Sequence, residues 1–140
     1  MPVHFFTEDI PFKLAHPRKT SRWITEAIKK EKKELDTLNY IFCSDNYLLA
    51  MNQEYLNHQT FTDIITFDYT ESPEQIKGDI FISIDRIREN SLKFHTAFED
   101  ELHRVIIHGV LHLLGYKDKT FEEKTLMRKK EDAYLSLRRV

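Results

Sequence analysis

Apolar residues recur along this chain at two spacings, one suited to strands and one to helices. The run Val3-His-Phe-Phe6 predicts a first strand, and Pro11 and Pro17 predict an irregular connection after it. Thr20 or Ser21 offers an N-cap to an amphipathic helix. In that helix Trp23, Ile24, Ala27, Ile28 and Leu35 share a face opposite lysines and glutamates. Tyr40 to Cys43 predicts a second strand. Ser44 or Asp45 then caps a helix running to about Leu56, with Leu48, Met51 and Tyr55 on one stripe. Asp63 to Tyr69 alternates, placing Ile65, Phe67 and Tyr69 on one face, and Gly78 to Ile84 does the same with Ile80, Ile82 and Ile84. The loop between these two runs is short, which predicts an antiparallel pair.

Helices dominate the rest. Asp85 is placed to cap one that runs to about Phe94. Thr96-Ala-Phe-Glu99 and Thr120-Phe-Glu-Glu123 each have the spacing of a capping box. The first opens a helix apolar on all sides from Val105 to Leu114, save for His108, Gly109 and His112, and such a helix is buried. The second opens a C-terminal helix in which Leu126, Ala133 and Leu137 are expected to face inward. Right-handed crossovers would make the first three strands parallel, with the fourth added antiparallel. The predicted fold is α+β: a small mixed four-stranded sheet covered by about five helices, with the histidine helix central. No repeat or linker divides residues 1–140, so one domain is expected.

Composition narrows the partners. A net charge of −2 is not that of a chain built to coat nucleic acid, and the basic clusters at 29–33, 128–130 and 138–139 are interleaved with acids or read as solvated helix faces. The single Cys43 sits in an apolar run and reads as a small core residue. There is no signal-like N-terminus and no apolar run of membrane length, so a soluble, cytoplasmic protein without a membrane partner is expected.

The candidate chemistry lies in His108-Gly-Val-Leu-His112-Leu-Leu-Gly115-Tyr-Lys-Asp118. Histidines four apart share a helix face, with Cβ atoms roughly 5–6 Å apart, so both imidazoles can reach one ion. Gly115 can take the left-handed conformation that ends a helix and turns the chain. Asp118 then returns as a third ligand. Burying two imidazoles is unfavourable unless each finds a partner, and one shared cation satisfies both. Three protein ligands with an open position is the arrangement of a catalytic site at a helix C-terminus. Two imidazoles and a carboxylate suit zinc, with nickel or iron also compatible. The spacing approaches that of the H-E-x-x-H peptidases, but the residue after His108 is Gly109. A glycine cannot move a proton, which disfavours a peptidase.

These residues resemble the signature of the YbeY family, H-G-x-L-H-L-x-G-Y-D-H. Thr62-Asp63-Ile-Ile-Thr-Phe67 is similar to that family's P-T-D-V-L-S-F stretch, and Gly78-Asp79-Ile80 to its L-G-D-I strand. The resemblance spans nearly the whole chain. It implies a mixed sheet with helices and a metal-dependent endoribonuclease specific for single strands. Its action would belong to rRNA maturation and ribosome assembly, with RNA or a ribosomal subunit as partner. A metal-activated water or hydroxide would attack the phosphodiester. There are two departures. Asp118 stands where the family has histidine, which leaves the site one unit less positive. Leu56 stands where the family has an arginine after the tyrosine equivalent to Tyr55. His58, Lys117 or Lys119 could supply the missing positive charge to substrate, and Phe61 and Tyr116 could stack on bases. No second catalytic group is legible. The alternative function is a ribosome-assembly or binding factor whose metal is structural.

Overall fold

The computed structural model describes residues 2–56 and 62–140, with the side chain of Leu56 left aside. The elements in order are β1 (Val3–Thr7), α1 (Pro17–Lys30), β2 (Glu34–Cys43), α2 (Asp45–Leu56), β3 (Ile64–Asp68), β4 (Gln75–Ser83), α3 (Ile84–Lys93), α4 (Phe98–Leu113) and α5 (Phe121–Leu137). The sheet runs β1-β2-β4-β3. The β1–β2 and β2–β4 pairs are parallel, and β3–β4 is antiparallel. The antiparallel strand is therefore β3 at the edge, not the fourth strand as expected. From α2 the chain enters the shorter β3 at the edge and then folds back into β4, which lies between β3 and β2, pairs parallel with β2 and buries Ile76, Ile80 and Ile82.

Alternation along the two central strands creates two cores. Leu38, Tyr40 and Phe42 of β2 and Ile76, Ile80 and Ile82 of β4 face the larger one, under α1, α3, α4 and α5. Cys43 and Ile65 face the other side, where α2 contributes Leu48. Burial pushes the Cys43 thiol up to about 12, helped by Asp9, Asp85 and Asp45, so it is an inert core residue. Buried hydrogen bonds register the helices on the sheet: Tyr40 Oη donates to the Ile106 carbonyl at 3.0 Å, and Trp23 Nε1 to that of Tyr134 at 2.8 Å.

Several helix ends depart from expectation. Helix α1 begins at Pro17, with His16 as the N-cap in the left-handed region, so Thr20 and Ser21 are interior. Proline suits a first turn because its missing N–H has no intrahelical acceptor there. The helix stops at Lys30, and Leu35 belongs to β2. Lys32, at φ 62°, makes the turn, with Lys33 N–H bonding the Ile28 carbonyl and Lys32 N–H that of Lys29. This is a Schellman stop without the glycine that would announce it. Ser83, not Asp85, caps α3 by accepting from Arg86 N–H, while Asp85 accepts from the Asp45 N–H that opens α2. Ser44 caps α2 through Tyr47 N–H.

Helix α4 starts after Ala97 with no side-chain cap, so the box at Thr96 does not form. Glu99, Asp100 and Glu101 nonetheless complement the dipole of its first turn. The Thr120–Glu123 box does form. Helix α5, however, buries Met127, Glu131 and Tyr134, leaving Leu126 and Leu137 about half exposed and Ala133 outward. A glutamate in the middle of the inner stripe disguises that face. Among the described residues, no helix is long and apolar enough to cross a membrane.

Candidate metal centre

Helix α4 sits low on the sheet because Gly109 has no side chain. A Cβ there would meet Ile80 and Ile64 carbons at 2.9–3.0 Å. Any larger residue after His108 would press into the core, which is a further steric reason why the peptidase glutamate has no place in this helix. One position back, His108 is turned away from that contact, and His112 follows it one turn on. Leu114 ends the helix. Gly115 N–H bonds the His112 carbonyl and Tyr116 N–H that of Leu111, with Gly115 at φ 106°. This second Schellman turn reverses the chain.

The turn brings Asp118 back to the histidines. His108 Nε2 lies 2.9 Å from His112 Nε2, and Asp118 Oδ2 is 3.3 Å from each. The three donors lie within 4.8 Å of one another and could hold a metal ion. Tetrahedral ligands bonded at about 2.0–2.1 Å stand about 3.3 Å apart, so the observed spacing fits a zinc-sized ion with one face open. The pocket at this point is about 240 Å³, lined by His108, Asp118, Lys124, Met127, Arg128 and Glu131.

Behind His108 stands a carboxylate that sequence reasoning missed. The buried Glu131 accepts from His108 Nδ1 at 2.6 Å and from Arg104 Nη1 at 2.8 Å. Holding the proton on Nδ1 leaves the Nε2 lone pair directed at the shared centre, the usual role of a carboxylate behind a ligating histidine. Burial pushes the His108 imidazole down, but the Glu131 bond and charge, with Asp118 and Asp63, outweigh it and carry its pKa above the ordinary value. Asp63, at the entry to β3, is held above the usual carboxylate range by burial; His108 pulls it down, while Glu131 and Asp118 push it up. Spacing alone could not find Glu131, which is 23 residues from His108. For Asp63 the signal was the Thr62–Phe67 stretch.

The turn is pinned from the other side. Tyr116 Oη donates to Glu31 Oε1 at 2.6 Å, and Tyr134 and Lys130 also donate to that carboxylate. Burial alone would raise the Glu31 pKa, and these three donors hold it below the usual range. Tyr116 is thus engaged at the end of α1, with Lys130 over its ring, instead of standing free to stack.

The family model described as "Endoribonuclease YbeY" matches residues 4–138. The chain belongs to the endoribonuclease YbeY family. It is 54% identical over 137 residues to the Endoribonuclease YbeY of Cytophaga hutchinsonii, covering 98% of this chain and 96% of that one. It is 48% identical to that of Amoebophilus asiaticus over 138 residues, covering 99% and 94%. Among solved structures it is similar to the solution structure of TM1509 from Thermotoga maritima, with TM-score 0.67 and 27% identity, covering 96% of this chain and 87% of that one. The mixed sheet with its covering helices is thus the fold of a YbeY-family chain.

Against this frame the candidate substrate contacts divide. His58 and Phe61 lie outside the described residues. Lys117 and Lys119 are exposed, and the basic residues lining the pocket beside His108 and Asp118 are Lys124 and Arg128 of α5.

Proposed function

We propose that this YbeY-family chain is a metal-dependent endoribonuclease that cuts single-stranded RNA in rRNA maturation and ribosome assembly. It would act in the cytoplasm as a single domain. His108, His112 and Asp118 hold one divalent ion, zinc first among the candidates. The observation that supports this reading is the convergence of the three donor atoms at the end of α4, with Glu131 orienting His108. Bound by these residues, such an ion would supply charge stabilisation for a phosphate oxygen and a more acidic water for attack on the phosphodiester. The chain's own part is to turn His108 Nε2 to the centre through Glu131, to hold Asp118 by the Gly115 turn, and to leave one side of the site open. Lys124 stands at that open side as positive charge for the phosphate.

The test is cleavage of single-stranded and duplex RNA by metal-analysed protein and a His112→Ala variant, with and without chelator. Cutting of the single strand that needs metal and is lost in the variant is the expected result. A bound metal without cutting would instead support an assembly factor with a structural ion, for which the Leu56 departure already argues. In that case chelation would lower Tm with no turnover to lose.

A further inference from the structure

An RNA strand that reaches the metal pocket, about 240 Å³, continues beyond it. A second and larger cavity, about 490 Å³, lies between the α3–α4 connection, the first turns of α4, and α5. Its walls include Phe94, Glu101, Arg104, Arg128, Leu135 and Arg138. Arg128 also lines the metal pocket, so the two spaces meet at its side chain.

Charge and pairing single out this arginine. Arg104 is engaged by Glu131 and Asp132, and Arg138 by Asp100 and His103. Arg128 makes no hydrogen bond or ion pair among the described residues, and the charge it meets across the cavity is that of Glu101. Burial, then Asp63, raise the Glu101 pKa, while Arg104 and Arg128 pull it down. An unengaged guanidinium presents a planar fork of donors suited to two phosphate oxygens. Lys124, Arg128 and Glu131 are three and four residues apart, so α5 presents all three on one face. Phe94, 56% exposed and with Lys93 Nζ 5.5 Å from its ring centroid, adds apolar surface at the same cavity together with Leu135, where a base could make contact. Arg104, on the cavity wall, bonds the same Glu131 that orients His108.

We propose that this cavity is the subsite for the ribonucleotide next to the one being cut, with Arg128 binding its phosphate and Phe94 contacting its base. The nature of the ligand rests on the ribonuclease reading; the site itself rests on the cavity and its open arginine.

The experiment measures binding of a fluorescein-labelled 2′-O-methyl single strand to the zinc-loaded protein, with the strand checked for integrity on a gel. Arg128→Ala, Arg128→Lys and Phe94→Ala are compared with Lys129→Ala, which removes an equal charge from an exposed site on the same helix. Arg128→Ala should weaken binding about tenfold or more and make the slope of log K against log salt shallower by about 0.7. Lys129→Ala should stay within about twofold, and Arg128→Lys should fall between. Titration with uridine 5′-monophosphate, followed by NMR, should shift the Phe94 ring signals, whereas inorganic phosphate should shift the Arg128 Nε–H alone.

Equal losses in Arg128→Ala and Lys129→Ala would overturn the proposal in favour of diffuse charge, as would no loss in either. A Phe94 ring that stays still with the nucleotide would overturn the base contact. Wild-type cleavage is assayed in parallel. Cutting with an inert Arg128 sinks this inference and keeps the ribonuclease; binding through Arg128 without cutting does the reverse.

Discussion

At the scale of single residues, the site depends on carboxylates that do not touch the centre. Glu131 sets the tautomer of His108, and replacing it should be felt as metal affinity. Glu131→Gln is expected to lower zinc affinity about 10- to 100-fold, read by competition with a chromogenic chelator. An unchanged affinity would remove Glu131 from the site.

His103 shows the opposite use of a histidine on the same helix. It is 2% exposed, edge-on to Trp23, and its Nδ1 accepts from Arg138 at 2.7 Å. Burial first, then the Arg138 charge, push it down to about 4, against the pull of Asp100; Glu99 lies 3.8 Å from its Nε2. Its folded pKa is below the unfolded value of about 6.5, so the unfolded chain binds the extra proton between them. Its contribution is whole above about 6.5 and fades as the pH falls toward 4. The Tm of the wild type should therefore drop over that window more steeply than that of His103→Gln, in parallel thermal melts. Parallel curves would contradict it. The spacing to Gly115 and Asp118 already set His108 and His112 apart from His103 in the sequence, though all three sit on one helix. Their neighbours across the fold assign one to structure and two to the centre.

At the scale of elements, the unit that matters is α4 with the turn behind it. Gly115 is at φ 106° with nothing within 4 Å of where a Cβ would stand, so Gly115→Ala meets backbone strain and no clash. A cost of about 1–3 kcal/mol in urea denaturation is expected, with weaker zinc binding because Asp118 depends on the turn. A variant as stable as the wild type would show that the turn relaxes without the left-handed residue. The histidine spacing, Gly115 and the Thr120 box were legible because each is a local signal read within one or two turns. The end of α1 was not, because Lys32 turns the chain where a glycine would have shown it. Nor was the inner face of α5, because Glu131 reads as a solvent residue until Arg104 and His108 are placed beside it.

At the scale of the whole molecule, the depth of α4 on the sheet is set by Gly109 over Ile64 and Ile80. Gly109→Ala should cost about 1–3 kcal/mol, the usual penalty of overpacking, seen as a lower urea midpoint with unchanged slope. The same substitution should disturb His108 and so reduce zinc binding. No loss of stability would mean that the Ile80 and Ile64 side chains give way freely. By itself the sequence determined the α+β class, the antiparallel pairing of the last two strands, the helix that carries His108 and His112, and the turn that offers Asp118. These follow from periodicity and from residues a few positions apart, where backbone geometry leaves little choice. Only the tertiary structure decided that β4 lies inside β3, that Glu131 orients His108, that Glu31 pins the turn, and that Arg128 joins the metal pocket to a larger cavity. Those are contacts between residues far apart in the chain, chosen by which faces the packing buries together.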